Sequence, residues 1–268
     1  MKNFGFIGMG NMAQAIAVGM IDSGKVAKEN IYAYAPHQDK LRNNAERIGF
    51  TPCESAKDVV SKVDTVIMAC KPYQIEGVLG EIGDVLKGKN LLSIAAGWDL
   101  ARYKKYLTDE THIQFIMPNT PVMVKEGVLM LETDNTLTSE DHAQLVDIME
   151  SLGTVVEIPA EHQDIGAAIA GCGPAYIDLV IEALGDAGVK YGLQRNLSYK
   201  LASQMILGAA KLQLETGLHP GVLKDNVCSP GGTTICGVDA LEHAGARKAF
   251  IDAVDGVMKK SIENKKNA

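Results

Sequence analysis

The segment Gly8-Met9-Gly10-Asn11-Met12-Ala13 constrains the fold of this chain more than any other feature. It follows the strand-like run Asn3–Ile7 directly and opens a helix-like run, Met12–Asp22. A G-x-G-x-x-G/A pattern in this position is typical of a dinucleotide site, because the glycines allow a tight turn and a close approach of the backbone to a pyrophosphate. The helix N-terminus adds free N–H groups and a partial positive charge. The predicted cofactor contacts in this segment are Gly8, Gly10, Asn11 and Met12.

Apolar and amphipathic runs alternate through residues 1–160. The predicted strands are Asn3–Ile7, Asn30–Ala35, Val63–Cys70, Asn90–Ala95, His112–Met117, Val128–Leu131 and Val155–Ile158. Apolar strands separated by helices are typical of a parallel sheet that is covered on both faces. The sequence therefore predicts an α/β fold, with a doubly wound dinucleotide-binding domain over residues 1–160.

A different pattern begins after residue 160. Two long segments, Ala175–Ala187 and Ser198–Leu214, are apolar on more than one face and rich in small residues. A helix that is apolar nearly all round must be buried on several sides, and about 100 residues provide little interior in which to bury it. We therefore expect residues 161–268 to form a helical domain that associates with a second copy of the chain as a homodimer.

The composition excludes several classes of protein. The net charge of −7 comes without any basic block, which argues against nucleic-acid binding. We find no continuous run of 18 apolar residues and no secretion signal, so we expect neither a membrane span nor export. The five cysteines and six histidines show no metal-type spacing. We expect a cytoplasmic protein with reduced thiols and no metal.

The end of the second predicted strand bears on the choice between NADH and NADPH. An acidic residue there would bind the ribose hydroxyls of NADH, but the sequence reads Tyr-Ala-Pro-His over residues 34–37. Asp39 lies in the start of the next helix, where a carboxylate suits the helix dipole. His37, Lys40 and Arg42 either surround a 2′-phosphate or form an ordinary exposed helix start. We predict NADPH, with NADH as the alternative, and contacts at Ala35 and His37.

A second glycine-rich loop, residues 228–234, precedes the helix-like run Ile235–His243. Its proline, two glycines and three hydroxyl side chains make a compact anion cradle, in which backbone N–H groups and hydroxyls can bind a carboxylate. The alternative is a simple Ser/Thr cap on the following helix, and local chemistry alone favours that cap. Cys172 and Cys228 are weaker candidates as nucleophiles, because the sequence shows no partner base for either.

Six motifs in this order resemble the pyrroline-5-carboxylate reductase family. They are the phosphate loop, A-x-K-P (Ala69–Pro72), S-x-A-A-G (Ser93–Gly97), M-P-N-T-P (Met117–Pro121), G-x-G-P-A-Y (Gly171–Tyr176) and K-D-N-V-x-S-P-G-G-T-T (Lys224–Thr234). The resemblance covers nearly the whole chain, and its last motif favours the carboxylate site over the helix cap. It implies a Rossmann-like domain followed by an all-helical dimerisation domain, which in the family often assembles into rings of dimers, such as a decamer.

The resemblance also implies roles for individual residues. The additional cofactor-binding residues would be Ser55, Ala69, Lys71, Pro72, Ala95, Ala96, Gly97 and Asn119, with Asn119 and Thr120 near the nicotinamide. The substrate-binding residues would be Ser229, Gly231, Gly232, Thr233 and Thr234, with Thr234 also orienting the ring nitrogen as the catalytic residue. Tyr73 stands where the family commonly has glutamine, and Ala170 and Cys172 stand where it commonly has serines. The implied reaction is the NAD(P)H-dependent reduction of 1-pyrroline-5-carboxylate to L-proline.

Two other functions remain open at this point. A related NADPH-dependent reductase that acts on another imine or on a hydroxy acid would share both domains. A protein that senses a dinucleotide without catalysis would keep the first loop, but it would have no need for a second carboxylate cradle.

Overall fold

The computed structural model describes residues 1–266 of the chain, which form two compact units. The first unit is Met1–Cys172 and the second begins at Gly173. The sequence places the functional boundary at residue 160, where the last strand ends. Residues 160–172 nevertheless belong to the first unit because they pack back onto its sheet, with Gly166 against Met130 and Ile158.

One sheet organises the first unit. Within the described residues its eight strands are β1 (Phe4–Ile7), β2 (Ile31–Tyr34), β3 (Thr51–Pro52), β4 (Thr65–Met68), β5 (Asn90–Ser93), β6 (His112–Pro118), β7 (Gly127–Glu132) and β8 (Gly153–Ile158). Their order is β3-β2-β1-β4-β5-β6-β7-β8. The first six follow the doubly wound arrangement, in which the chain returns to the centre of the sheet after β3.

The helices of the first unit cover this sheet, and a separate set of helices forms the second unit. The helices of the first unit are α1 (Asn11–Asp22), α2 (Gln38–Ile48), α3 (Ala56–Lys62), α4 (Ile75–Ile82), α5 (Leu100–Tyr103), α6 (Ser139–Glu150) and α7 (Gln163–Gly166). A short π-helical segment, Ala167–Gly171, follows α7. The second unit contains α8 (Gly173–Lys190), α9 (Arg195–Thr216), α10 (Pro220–Asn226), α11 (Thr233–His243) and α12 (Ala246–Lys266).

The prediction of a parallel sheet is wrong at one pair of strands. β6 and β7 are antiparallel, with Met117 opposite Met130, whereas the other adjacent pairs are parallel. Only residues 119–126 connect β6 to β7, and so short a connection cannot contain the crossover that a parallel pair needs. The strand β3 was not predicted, because two residues at a sheet edge leave no periodic signal.

The core lies on both faces of the sheet, as predicted for buried strands. Phe4 and Phe6 of β1 pack in one cluster with α1 and α6, while Ile7 faces the other cluster with α3 and α4. Adjacent residues of a strand point to opposite faces, so each central strand contributes to both clusters. Gly153 at the start of β8 has a φ of 148°, and a β-carbon there would overlap the carbonyl of Gly127. Glycine at position 153 therefore allows the close approach of β7 and β8.

The second unit buries very little of its apolar surface within one chain. Among the described residues from Gly173 onward, Ala202 is the one hydrophobic side chain that is buried, at 6% exposure. Leu179 and Leu214 are 66% and 76% exposed. The helical stretch Ala160–Lys190 is even long and apolar enough to cross a membrane, which for a single helix is weak evidence of a span. Exposed apolar surface on this scale marks an interaction site.

Candidate dinucleotide and carboxylate sites

Gly8 forms the sharp turn between β1 and α1. Its φ of 98° is a left-handed conformation, and a β-carbon there would lie 2.7 Å from the backbone of Ala69 and Cys70. The Gly8 N–H donates to the carbonyl of Tyr34 at 2.8 Å. The position therefore requires glycine, both for its backbone conformation and for its contact with the loop after β4.

Gly10 leaves open space at the start of α1. A β-carbon on Gly10 would meet no atom within 4 Å. Gly10 is the N-cap residue, no side chain caps the helix, and its first turn contains no acidic residue. The first N–H groups of α1, including those of Asn11 and Met12, are thus available to an anion. This arrangement fits the pyrophosphate of a dinucleotide.

The remaining cofactor candidates of the first unit lie largely at one edge of the sheet. Ile7, Met68 and Ser93 are paired across β1, β4 and β5, so the loops that follow these strands leave the sheet together. The loops carry the predicted cofactor residues 69, 71 and 72, and 95 to 97. This is the edge where doubly wound sheets bind ligands.

A cavity of about 400 Å³ opens at this edge. Six predicted cofactor residues line it: Gly8, Gly10, Ala35, His37, Ala69 and Lys71. Lys40, weighed for a 2′-phosphate, also lines it, together with Tyr73, noted above only as a departure from the family. Asn44 and Gln74, which the sequence did not single out, line it as well. Asn44 lies one helical turn after Lys40 on α2, so helical spacing from Lys40 identifies it.

The lining of the cavity is basic. His37, Lys40 and Lys71 contribute to it, and the described lining residues include no carboxylate. Arg42 is not part of the lining; its guanidinium lies 3.9 Å from the carboxylate of Asp39. The cavity therefore favours an anionic ligand, and Lys40 is better placed than Arg42 to bind one.

Cys70 also lines the cavity but has little nucleophilic character there. Burial raises the pKa of its thiol to about 11. A protonated thiol is a weak nucleophile, because the thiolate is the reactive form. Among the described residues, no three His, Cys, Asp or Glu side chains come together in a way that could hold a metal ion.

Two cofactor candidates make hydrogen bonds within the protein. Ser55 is the N-cap of α3, where its hydroxyl accepts the Asp58 N–H at 3.1 Å, and it does not line the cavity. Asn119 is 7% exposed; its Oδ1 accepts the Val128 N–H at 2.9 Å, and its Nδ2 donates to the Ala170 carbonyl at 3.0 Å. These bonds fix Asn119 at the end of β6, and a cofactor contact would use the remaining hydrogen and lone pair of its amide.

The second glycine-rich loop lies in the second unit, immediately before α11. Gly231 has a φ of 69°, and the Gly232 N–H donates to the Ser229 carbonyl at 2.9 Å. Gly232 is the N-cap residue, and no side-chain hydroxyl caps the helix. The interpretation of this loop as a Ser/Thr cap is therefore wrong. The hydroxyls of Thr233 and Thr234 lie exposed in the first turn of α11, where they can bind an anion together with backbone N–H groups.

Comparison with known families covers both units. The family model for pyrroline-5-carboxylate reductase dimerisation matches residues 160–264. A second model, described as NADP oxidoreductase coenzyme F420-dependent, matches residues 3–97. The two matches coincide with the helical region and with the part of the sheet that carries the phosphate loop.

Individual relatives match the chain over nearly its full length. Pyrroline-5-carboxylate reductase of Treponema pallidum is 39% identical, over 97% of this chain and 100% of the relative. That of Escherichia coli is 41% identical, over 97% of each chain. A solved structure of Plasmodium falciparum pyrroline carboxylate reductase with NADP bound has a TM-score of 0.88 and 34% identity, covering 97% of each chain. The chain belongs to the pyrroline-5-carboxylate reductase family.

Proposed function

We propose that this protein reduces 1-pyrroline-5-carboxylate to L-proline, the last step of proline biosynthesis, as an NAD(P)H-dependent oxidoreductase. The observation that carries the proposal is the loop 229–234, an uncapped helix start with a carboxylate-binding composition, in a chain that resembles these reductases over 97% of its length. A dinucleotide sensor would not need this loop. A hydroxy acid also carries a carboxylate, so the choice of the cyclic imine rests on the family relationship.

The chain contributes binding and orientation to the reaction. NAD(P)H supplies the hydride that adds to the imine carbon, and a proton adds to the nitrogen. Gly8 and Gly10 with the start of α1 bind the pyrophosphate. Lys71 and the residues 95–97 lie along the same edge of the sheet and hold the rest of the cofactor. Such placement matters because the reacting carbons must approach to about 3–3.5 Å.

The second loop binds and orients the substrate. The backbone N–H groups of Gly231 and of the first turn of α11, with the hydroxyls of Ser229 and Thr233, bind the substrate carboxylate, while Gly232 holds the turn through its bond to the Ser229 carbonyl. The Thr234 hydroxyl oxygen accepts the N–H of the protonated imine and so orients the ring. A protonated imine accepts hydride more readily than a neutral one, and the proton comes from the substrate itself or from solvent. Thr234 thus acts by orientation rather than by proton transfer.

The most direct test of the proposal is product identification. Incubation of the purified protein with NADPH and 1-pyrroline-5-carboxylate should yield one L-proline for each NADPH consumed, measured by chiral chromatography alongside absorbance. NADPH consumption without proline would exclude this reaction.

The cofactor preference gives a prediction at Lys40. We propose that Lys40 binds the 2′-phosphate of NADPH, since it lines the basic cavity beside Ala35 and His37. Lys40→Ala removes a charge-assisted hydrogen bond that, at this exposed position, contributes roughly 1 kcal/mol. The KM for NADPH should therefore rise about fivefold, while the KM for NADH changes little. Steady-state kinetics with both cofactors measures the difference.

Arg42→Ala is the matched control for Lys40→Ala. Arg42 lies on the same helix and carries the same charge, but it faces Asp39 and does not line the cavity. It should leave both Michaelis constants unchanged. Equal effects of the two variants, or a wild-type protein that clearly prefers NADH, would remove the 2′-phosphate assignment.

The apolar helices of the second unit carry self-association, in line with the dimerisation model that matches residues 160–264. We propose a homodimer in which α8 and α9 are covered by a second copy, and a cytoplasmic protein with neither membrane nor nucleic-acid partner. A decamer would be a ring of five such dimers. Sedimentation equilibrium distinguishes these assemblies from the 28.7 kDa chain, and a stable monomer at low micromolar concentration would contradict the proposal.

A further inference from the structure

Trp98 lies outside the cavity lining but forms hydrogen bonds with two loops of the candidate cofactor site. It is fully buried, and its indole N–H donates to the Pro72 carbonyl at 3.1 Å. Pro72 belongs to the loop after β4, whereas Trp98 follows the loop after β5. The Trp98 backbone N–H also donates to the Ala95 carbonyl at 3.1 Å. One residue thus holds both loops by hydrogen bonds.

The indole ring is itself held rigidly. The ring of Tyr103 packs at 5.0 Å and that of Tyr106 at 5.4 Å, measured between ring centroids. The Arg102 guanidinium lies 4.4 Å from the centroid of the Trp98 ring and forms an ion pair with Glu76 at 3.6 Å. Since Glu76 lies on α4 and Arg102 on α5, this pair joins the two helices that follow the loops.

We propose that Trp98 is a positioning residue for the cofactor: it sets the separation between Lys71–Pro72 and Ala95–Gly97, the two loops that hold NAD(P)H in the proposed function, on which this inference rests. Trp98 does not line the cavity. Trp98 therefore acts on the cofactor only through the two loops. The indole N–H is buried with its ring, whereas the Pro72 carbonyl is partly buried and also accepts the Ile75 N–H. Loss of the indole bond therefore releases the loop after β4 from Trp98 without leaving that carbonyl unpaired.

The test uses Trp98→Phe, which keeps an aromatic ring but removes the indole N–H. Titration calorimetry should show the Kd for NADPH rising about three- to tenfold, the effect of one typical hydrogen bond. In steady-state assays the KM for NADPH should rise equally, while kcat and the KM for the imine stay within about twofold. A Kd equal to that of the wild type would overturn the proposal, even if the variant melts at a lower temperature.

Tyr103→Phe is the matched control. The Tyr103 hydroxyl donates to Ser93 at 3.1 Å within the same buried cluster but does not contact Pro72. Its loss should lower the melting temperature without changing the Kd for NADPH. A Kd raised as much as in Trp98→Phe would mean general loosening and would overturn the positioning role.

A second replacement keeps the test decisive if Trp98→Phe does not fold. Benzothienylalanine at position 98, introduced as a non-natural amino acid, keeps the shape of the indole and replaces the N–H with sulfur. The same rise in Kd is expected, and an unchanged Kd overturns the proposal. A wild-type protein that binds NADPH but does not reduce the imine would refute the proposed function alone, whereas one that does not bind NADPH would refute both.

Discussion

Replacing Thr234 with alanine is expected to lower kcat tenfold or more, which corresponds to about 1.4 kcal/mol of barrier. The side chain lies exposed in the first turn of α11, so its loss removes no core packing. Its hydroxyl orients the imine nitrogen in the proposed complex, and a misplaced ring raises the barrier to hydride transfer. Steady-state kinetics with saturating NADPH and varied imine concentration measures the change in kcat.

Thr234→Ser is the matched variant, because it keeps the hydroxyl and should retain most of the activity. The pH profile of kcat should have the same shape in wild type and Thr234→Ala, since orientation involves no titration of Thr234. Unchanged kinetics in Thr234→Ala would remove this residue from the site. A profile that loses one limb would instead assign it a part in proton transfer.

Gly10→Ala should weaken cofactor binding about 10- to 100-fold and leave the fold intact. In the structure, a β-carbon at Gly10 meets nothing within 4 Å, and its φ of −75° suits any residue. The free energy of unfolding should therefore change little. The added methyl group instead occupies the space where the pyrophosphate approaches, and overpacking of this kind costs roughly 1–3 kcal/mol. Titration calorimetry with NADPH measures the affinity.

Gly80→Ala is the control for this variant. Gly80 lies within α4 and also has open space at its β-carbon. Alanine there should stabilise the helix by about 0.5–1 kcal/mol and leave NADPH affinity unchanged. A Gly10→Ala variant that binds NADPH as tightly as the wild type would place the pyrophosphate elsewhere.

Much of the first unit was predictable because its signals are local. The phosphate loop lies between a strand and a helix as its pattern indicates, and the central strands were found from their apolar runs. The antiparallel pair β6 and β7 was missed because apolar runs carry no direction. Strand direction depends on the length of the connection, and residues 119–126 are too few for a parallel crossover.

The cofactor site was predictable in part. Gly8 and Lys71, predicted from motifs, and Ala35 and His37, predicted from the end of the second strand, line the cavity together. Tyr73 was noted as a departure from the family but was not placed in the site, because an exposed aromatic residue has no pattern of its own. Trp98 could not be assigned a role from sequence. Its contact with Pro72 spans 26 residues and exists only once β4 and β5 lie side by side.

The most direct test of the central claim is the rate of NADPH oxidation with 1-pyrroline-5-carboxylate, measured beside other cyclic imines and a panel of hydroxy acids with NADP⁺. The phosphate loop and the loop 229–234 together predict the highest kcat/KM for 1-pyrroline-5-carboxylate, with L-proline as the product. A higher kcat/KM for another imine or for a hydroxy acid, or NADPH binding without turnover of any of these compounds, would contradict the claim.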